Sequence, residues 1–144
     1  MYRWIVFLHI LSAMLSIGPF FVFFPFFKKV ARMEKNELAV FIGLFRFCVQ
    51  LSKHAGHVLV TTGVLLIWLG GWDFRTSWIL LTLIVLVGSL YFFARAFSPI
   101  LRALTDAEPA ERPAHVKRLK RALYGYLFLV LLMLGLMVVK PSFW

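Results

Sequence analysis

An all-α bundle of four transmembrane helices is the fold this sequence predicts, on three observations. Of its 144 residues, 62% are hydrophobic, against about 45–50% in a soluble domain. Small domains have much surface per volume, so a core of this size cannot hide that excess. The apolar residues also come in four long runs, at 4–27, 51–69, 78–97 and 122–139, near the roughly 20 helical residues that cross a bilayer core. The cations gather at the ends of the runs and between them. Backbone groups in lipid must satisfy one another, which makes each run a helix. The alternation of apolar and polar residues that a membrane β-barrel requires is absent.

The net charge of +10 would suggest nucleic acid in a soluble chain. Here the charge follows the membrane ends, and topology explains it without a nucleic-acid partner. Six basic residues lie between Lys28 and Lys53, and seven between Arg95 and Arg121; only Arg3, Arg75 and Lys140 lie on the other side. The positive-inside rule places both basic loops in the cytoplasm and both termini outside. The chain is expected to form one membrane domain, 1–144, passing several times through the cell membrane.

The first helix is expected over 4–27. With Arg3 as its one flanking cation and no small-x-small cleavage site, it reads as a retained helix rather than a signal peptide. Pro19 and Pro25 should kink it or end it near the latter. Asn36 and Glu37 resemble a helix start, with a capping side chain and an acid in the first turn. From there no breaker occurs until Gly70-Gly71, so one long helix is expected over 37–69, about 50 Å at 1.5 Å per residue; the alternative is that Leu38–Gln50 lies along the interface before the span begins. Trp68, Trp72 and Trp78 mark the outer interface, where indole rings prefer to sit. The third helix is expected over 78–97, stopping near Ser98-Pro99, and the fourth over 114–139, ending at Lys140-Pro141. The single cysteine, Cys48, has no intramolecular partner and lies between Phe47 and Val49 as a small hydrophobe.

Ionisable groups inside a span are costly and mark functional sites by default. The first helix carries His9, Ser12 and Ser16 on one face, at steps of three and four. The second carries Arg46, Gln50, Lys53, His57 and Thr61 at similar steps, with His54 and Thr62 beside that stripe. One reading is haem b: neutral imidazole ligates iron, and small four-helix bundles hold haem between facing histidines. His9 would then be one axial ligand, with His57, or His54, the other. Gly56 would let the macrocycle approach the backbone, and interfacial cations would pair with its propionates. At 1.5 Å per residue, His9 lies about 7–12 Å from the outer surface and His57 about 16–18 Å. Met133 and Met137 match His9 better by depth, and thioether also ligates haem iron. A second reading makes the histidines interhelical glue in a non-catalytic subunit, assembly factor or transporter partner. A third is a copper-handling protein using His54-x-x-His57, although no Cys or acid completes a first shell.

Other chemistries lack their residues. No carboxylate lies inside a span, which disfavours a transporter built on a buried acid. No serine has an adjacent acid–base pair, and the glycines form no phosphate loop. His115 falls in a basic loop and reads as solvated.

Trp4-x4-His9 with Gly18 nine residues on, the Leu8-His9 pair, and the closing Val139-Lys140-Pro141 resemble the HemJ and CopD-like group of four-helix membrane proteins. The chain looks closer to a bacterial family of small predicted integral membrane proteins that shares the same bundle. HemJ-type proteins bind haem b and oxidise protoporphyrinogen, so the resemblance implies His9 as a haem ligand. It also implies a lysine at the outer start of the third helix, where this chain has Gly71-Trp72-Asp73-Phe74-Arg75-Thr76 instead. The expected function is haem b binding in electron transfer or porphyrin chemistry, with lipid around the bundle. A membrane redox partner or a second copy of the chain is the expected kind of partner.

Overall fold

The computed structural model describes all residues, 1–144, and contains helices and turns without a strand. The elements are α1 (Tyr2–Ile17), a 3-10 stretch (Gly18–Phe26), α2 (Phe27–Val30), α3 (Lys35–Leu69), α4 (Ser77–Asp106) and α5 (Arg112–Val139). Four stretches are long and apolar enough to span a bilayer: Tyr2–Val30, Lys35–Leu69, Ser77–Asp106 and Arg112–Val139. Only 33 of 144 residues are buried inside the bundle. Side chains such as Trp4, Phe47, Phe128 and Val138 point outward instead. In water such a surface would be a large unpartnered patch; hydrocarbon solvates it at no cost.

The four spans and the long second helix stand as the sequence predicts. Three local expectations need correction. The long helix starts at Lys35 with Glu34 at the cap position and no side-chain cap bond, so Asn36 lies inside it. α1 ends at Ile17, earlier than Pro25, because the chain tightens into 3-10 geometry between Pro19 and Pro25. α4 does not stop near Ser98-Pro99 but runs through Pro99 to Asp106. An interior proline costs a helix about 3 kcal/mol. Beyond it, Ile100, Leu101 and Leu104 are all buried, and each contributes about 1.5–3 kcal/mol by burial. Their packing outweighs the proline.

The switch to 3-10 geometry leaves a debt at Ser16. In the 3-10 pattern the Ser16 carbonyl would receive the N–H of residue 19, and Pro19 has none. The hydroxyl of Ser52 on α3 donates to that carbonyl instead, at 2.9 Å. Ser16 and Ser52 are both buried, so the bond pins the break in the first span to the middle of α3. Ser52→Ala is expected to destabilise the bundle by about 0.6–1.7 kcal/mol, the range of interhelical hydrogen bonds in membranes, read as a lower detergent-denaturation midpoint.

The helices associate as two pairs. α1 packs along α3, and α4 along α5, whereas α3 and α4 barely touch. At the inner, basic end the pairs are locked by aromatic rings. Phe20 is fully buried, stacked on Phe97 at 6.0 Å between centroids, with Tyr126 edge-on at 5.6 Å and Phe45 at 5.8 Å. Arg112 at the start of α5 donates through Nη1 to the Met33 carbonyl at 2.6 Å, closing the same end. At the outer end Ser77 donates to the Pro141 carbonyl at 3.0 Å, and Trp144 donates to the Arg75 carbonyl at 3.1 Å. Both termini and the Gly70-Gly71 turn therefore share one face, with both basic loops on the other. Gly71 makes that turn at φ +66°, a conformation glycine adopts without a Cβ clash.

Candidate functional site

Toward the outer end the pairs leave space between them, and His9 borders that space. One cavity of about 350 Å³ opens toward the Trp72–Lys140 side; another of about 530 Å³ lies between α1 and α5. Both are lined by His9, Leu59, Met133 and Met137, and most of the remaining wall is apolar. These volumes lie within the roughly 300–1,000 Å³ of small-ligand pockets.

The protonation state of His9 follows from hydrogen-bond bookkeeping. Its Nδ1 lies 2.9 Å from Thr62 Oγ1. The single proton of that hydroxyl is committed to α3 carbonyls, with Val58 O at 2.7 Å and Leu59 O at 3.1 Å. Oγ1 must then accept from the ring, which assigns the proton of the neutral imidazole to Nδ1 and leaves the Nε2 lone pair free. Below the ring, Ser12 donates to the His9 carbonyl at 2.9 Å. Gly63 supplies the room beside it: a Cβ there would stand 3.2 Å from His9 Cε1. Threonine, glycine and histidine together make a seat for an oriented imidazole.

The outer mouth carries a cation. Lys140 sits at the end of α5 in left-handed conformation, φ 49° and ψ 55°. Its ammonium lies 5.2 Å from the Trp72 ring centroid and 5.4 Å from that of Trp78. The two indoles pack edge-on at 5.6 Å. A lysine over two indole faces is held by the ring quadrupoles and lines the first cavity.

The other histidines lie elsewhere. His57 is exposed and lines a different groove, between α3 and α4, that His9 does not reach. His54 is exposed too, with Nδ1 bonded to the Gln50 carbonyl of its own helix at 2.7 Å. His115 is partly buried at the inner end rather than solvated, and its Nδ1 has no partner. No three His, Cys, Asp or Glu side chains gather where they would hold a metal ion, so His54 and His57 receive no further donors of those types. The structure thus joins His9 to Met133 and Met137 and does not join it to His57. The sequence hid Thr62 and Gly63 as partners of His9, because pairing α1 with α3 at that register is a tertiary fact. The one sequence signal was a polar residue beside a glycine at matching depth.

Residues 3–141 match a family described as "Predicted integral membrane protein (DUF2269)". No curated protein and no solved structure matches the chain.

Proposed function

Given that the chain belongs to the DUF2269 family of predicted integral membrane proteins, and hence that its outer cavities lie within a bilayer, we propose that it binds haem b there, with His9 as an axial ligand. One observation carries the reading. An imidazole half-buried at the meeting of two largely apolar cavities donates from Nδ1 to Thr62 and so carries its lone pair on Nε2. That is the arrangement of a ligating histidine, whose other ring nitrogen is oriented by a second-shell partner. Met133 and Met137 border the same cavities and would offer a thioether to the iron. Lys140 is the cation available to a propionate at the outer mouth. His57 and His54 are placed second as ligands, because they line no cavity with His9.

Bound haem would supply one-electron or porphyrin redox chemistry. The chain's own contribution is to orient the imidazole, keep the site apolar and dry, and present a thioether. The decisive experiment is an absorption spectrum of the detergent-purified protein, as isolated and after dithionite. A Soret band with sharp α and β bands on reduction supports the reading. A colourless protein from haem-replete cells refutes it. Thr62→Val removes the acceptor that orients the ring, and is expected to weaken haem retention about 10–100-fold with an unchanged elution profile.

A second reading is favoured by a specific observation. The His9–Thr62 and Ser52–Ser16 bonds form a polar seam between α1 and α3 that needs no ligand. In that case His9 is interhelical glue in a non-catalytic membrane subunit. Loss of His9 would then lower stability in a protein that never carried colour.

A further inference from the structure

Between the inner halves of α3 and α4, which barely touch, runs a groove of about 350 Å³. Gln50, Lys53 and His57 line it from α3 and Ser98 from α4, and all four are exposed from the bundle. Their side chains find no hydrogen-bond or ion-pair partner within the chain, although their neighbours in the same groove, Leu90 and Phe93, are apolar. Depth places these groups. Counting 1.5 Å per residue from the outer helix ends, His57 lies about 18 Å in, Lys53 about 24 Å, Gln50 about 28 Å and Ser98 about 31 Å. Across a hydrocarbon core of about 30 Å, the polar groups run from the midplane to the inner interface. No acidic residue lies in any membrane-crossing apolar run, so nothing in the protein neutralises Lys53 at that depth. An unpaired ammonium in a groove whose wall is part apolar (Leu86, Leu90, Phe93) and part hydroxyl-bearing (Ser52, Ser89, Tyr126) is complementary to an anionic headgroup carried on an acyl chain.

We propose that this groove binds an anionic phospholipid of the inner leaflet. Lys53, with Gln50 and Ser98, holds the phosphate, and one acyl chain lies against Leu90 and Phe93 toward the middle of the bundle. The cytoplasmic leaflet is the anionic one, which is the side the basic loops select. The groove does not include His9, although Leu59 and Met133 border both it and the cavities at His9.

The test is native mass spectrometry of the full chain, released from mild detergent containing equal amounts of phosphatidylglycerol and phosphatidylcholine. One retained phosphatidylglycerol is expected in preference to phosphatidylcholine. Lys53→Gln should lower that preference at least about fivefold, the scale of one lysine near a charged membrane surface. Arg118→Gln, a loop cation outside the groove, should leave it unchanged. Ala94→Phe fills the groove without altering charge and should reduce retention of both lipids. An unchanged preference in Lys53→Gln, or an equal loss in Arg118→Gln, would overturn the proposal in favour of diffuse surface charge. Displacement of the lipid by excess glycerol phosphate would overturn it in favour of a headgroup-only anion site. Unchanged lipid retention in Ala94→Phe would overturn it too, leaving the groove to a protein partner.

Discussion

His9→Ala is expected to abolish the Soret band while the protein still purifies as the same detergent-soluble species. Outer-shell partners of a metal-bound histidine already carry about 10–100-fold in affinity, so losing the ligand itself should cost more than about 100-fold. The substitution also enlarges the cavities that His9 lines, which permits chemical rescue. Imidazole added to His9→Gly should restore an absorbing complex, an effect that a purely structural histidine would not give. His54→Ala and His57→Ala should keep their colour, since neither lines a cavity with His9. If His57→Ala bleaches and His9→Ala does not, the site belongs in the α3–α4 groove and the assignment to His9 fails.

Phe20→Ala is expected to be the most destabilising single change, at about 3–5 kcal/mol, the range for deleting a fully buried phenyl ring. That is a large part of a typical stability of about 5–15 kcal/mol. Phe20 comes from the first span, yet its neighbours Phe45, Phe97 and Tyr126 belong to α3, α4 and α5. Removing it opens a void where all four spans meet. Phe128→Ala is the control, because that ring is 65% exposed and faces outward. Detergent-denaturation midpoints should drop sharply for Phe20→Ala and hardly for Phe128→Ala. Equal shifts would mean that the inner cluster does not hold the pairs together.

The membrane class and the four spans were legible because lipid imposes its length and hydrogen-bond requirements on every residue of a run. That Pro19 and Pro25 interrupt the first span was legible for a local reason too, although α1 ends at Ile17 rather than near Pro25. The consequence of that break was not, since the carbonyl of Ser16 finds its donor thirty-six residues away on Ser52. The passage of α4 through Pro99 was illegible too. It depends on Ile100, Leu101 and Leu104 finding buried neighbours, and periodicity does not say what a helix face will meet. For the site, spacing put His9 on a polar face and depth suggested Met133 and Met137. Spacing could not separate His9 from His57, because a face on one helix does not identify the helix opposite. The register of α1 against α3, with Thr62 and Gly63 at His9, is what separates them.

The pairing of α1 with α3 and α4 with α5 bears on how the molecule is made. Each pair is contiguous along the polypeptide, so each can zip up within its own stretch as it leaves the ribosome and enters the bilayer. Both the Ser52–Ser16 and the His9–Thr62 bonds lie within the first hairpin, so it can close them without the second. Phe20 waits with one side uncovered until Phe97 and Tyr126 arrive with the second. The contact pattern is that of two self-contained halves docked on each other, with the ring cluster of Phe20, Phe97 and Tyr126 as the seal between them.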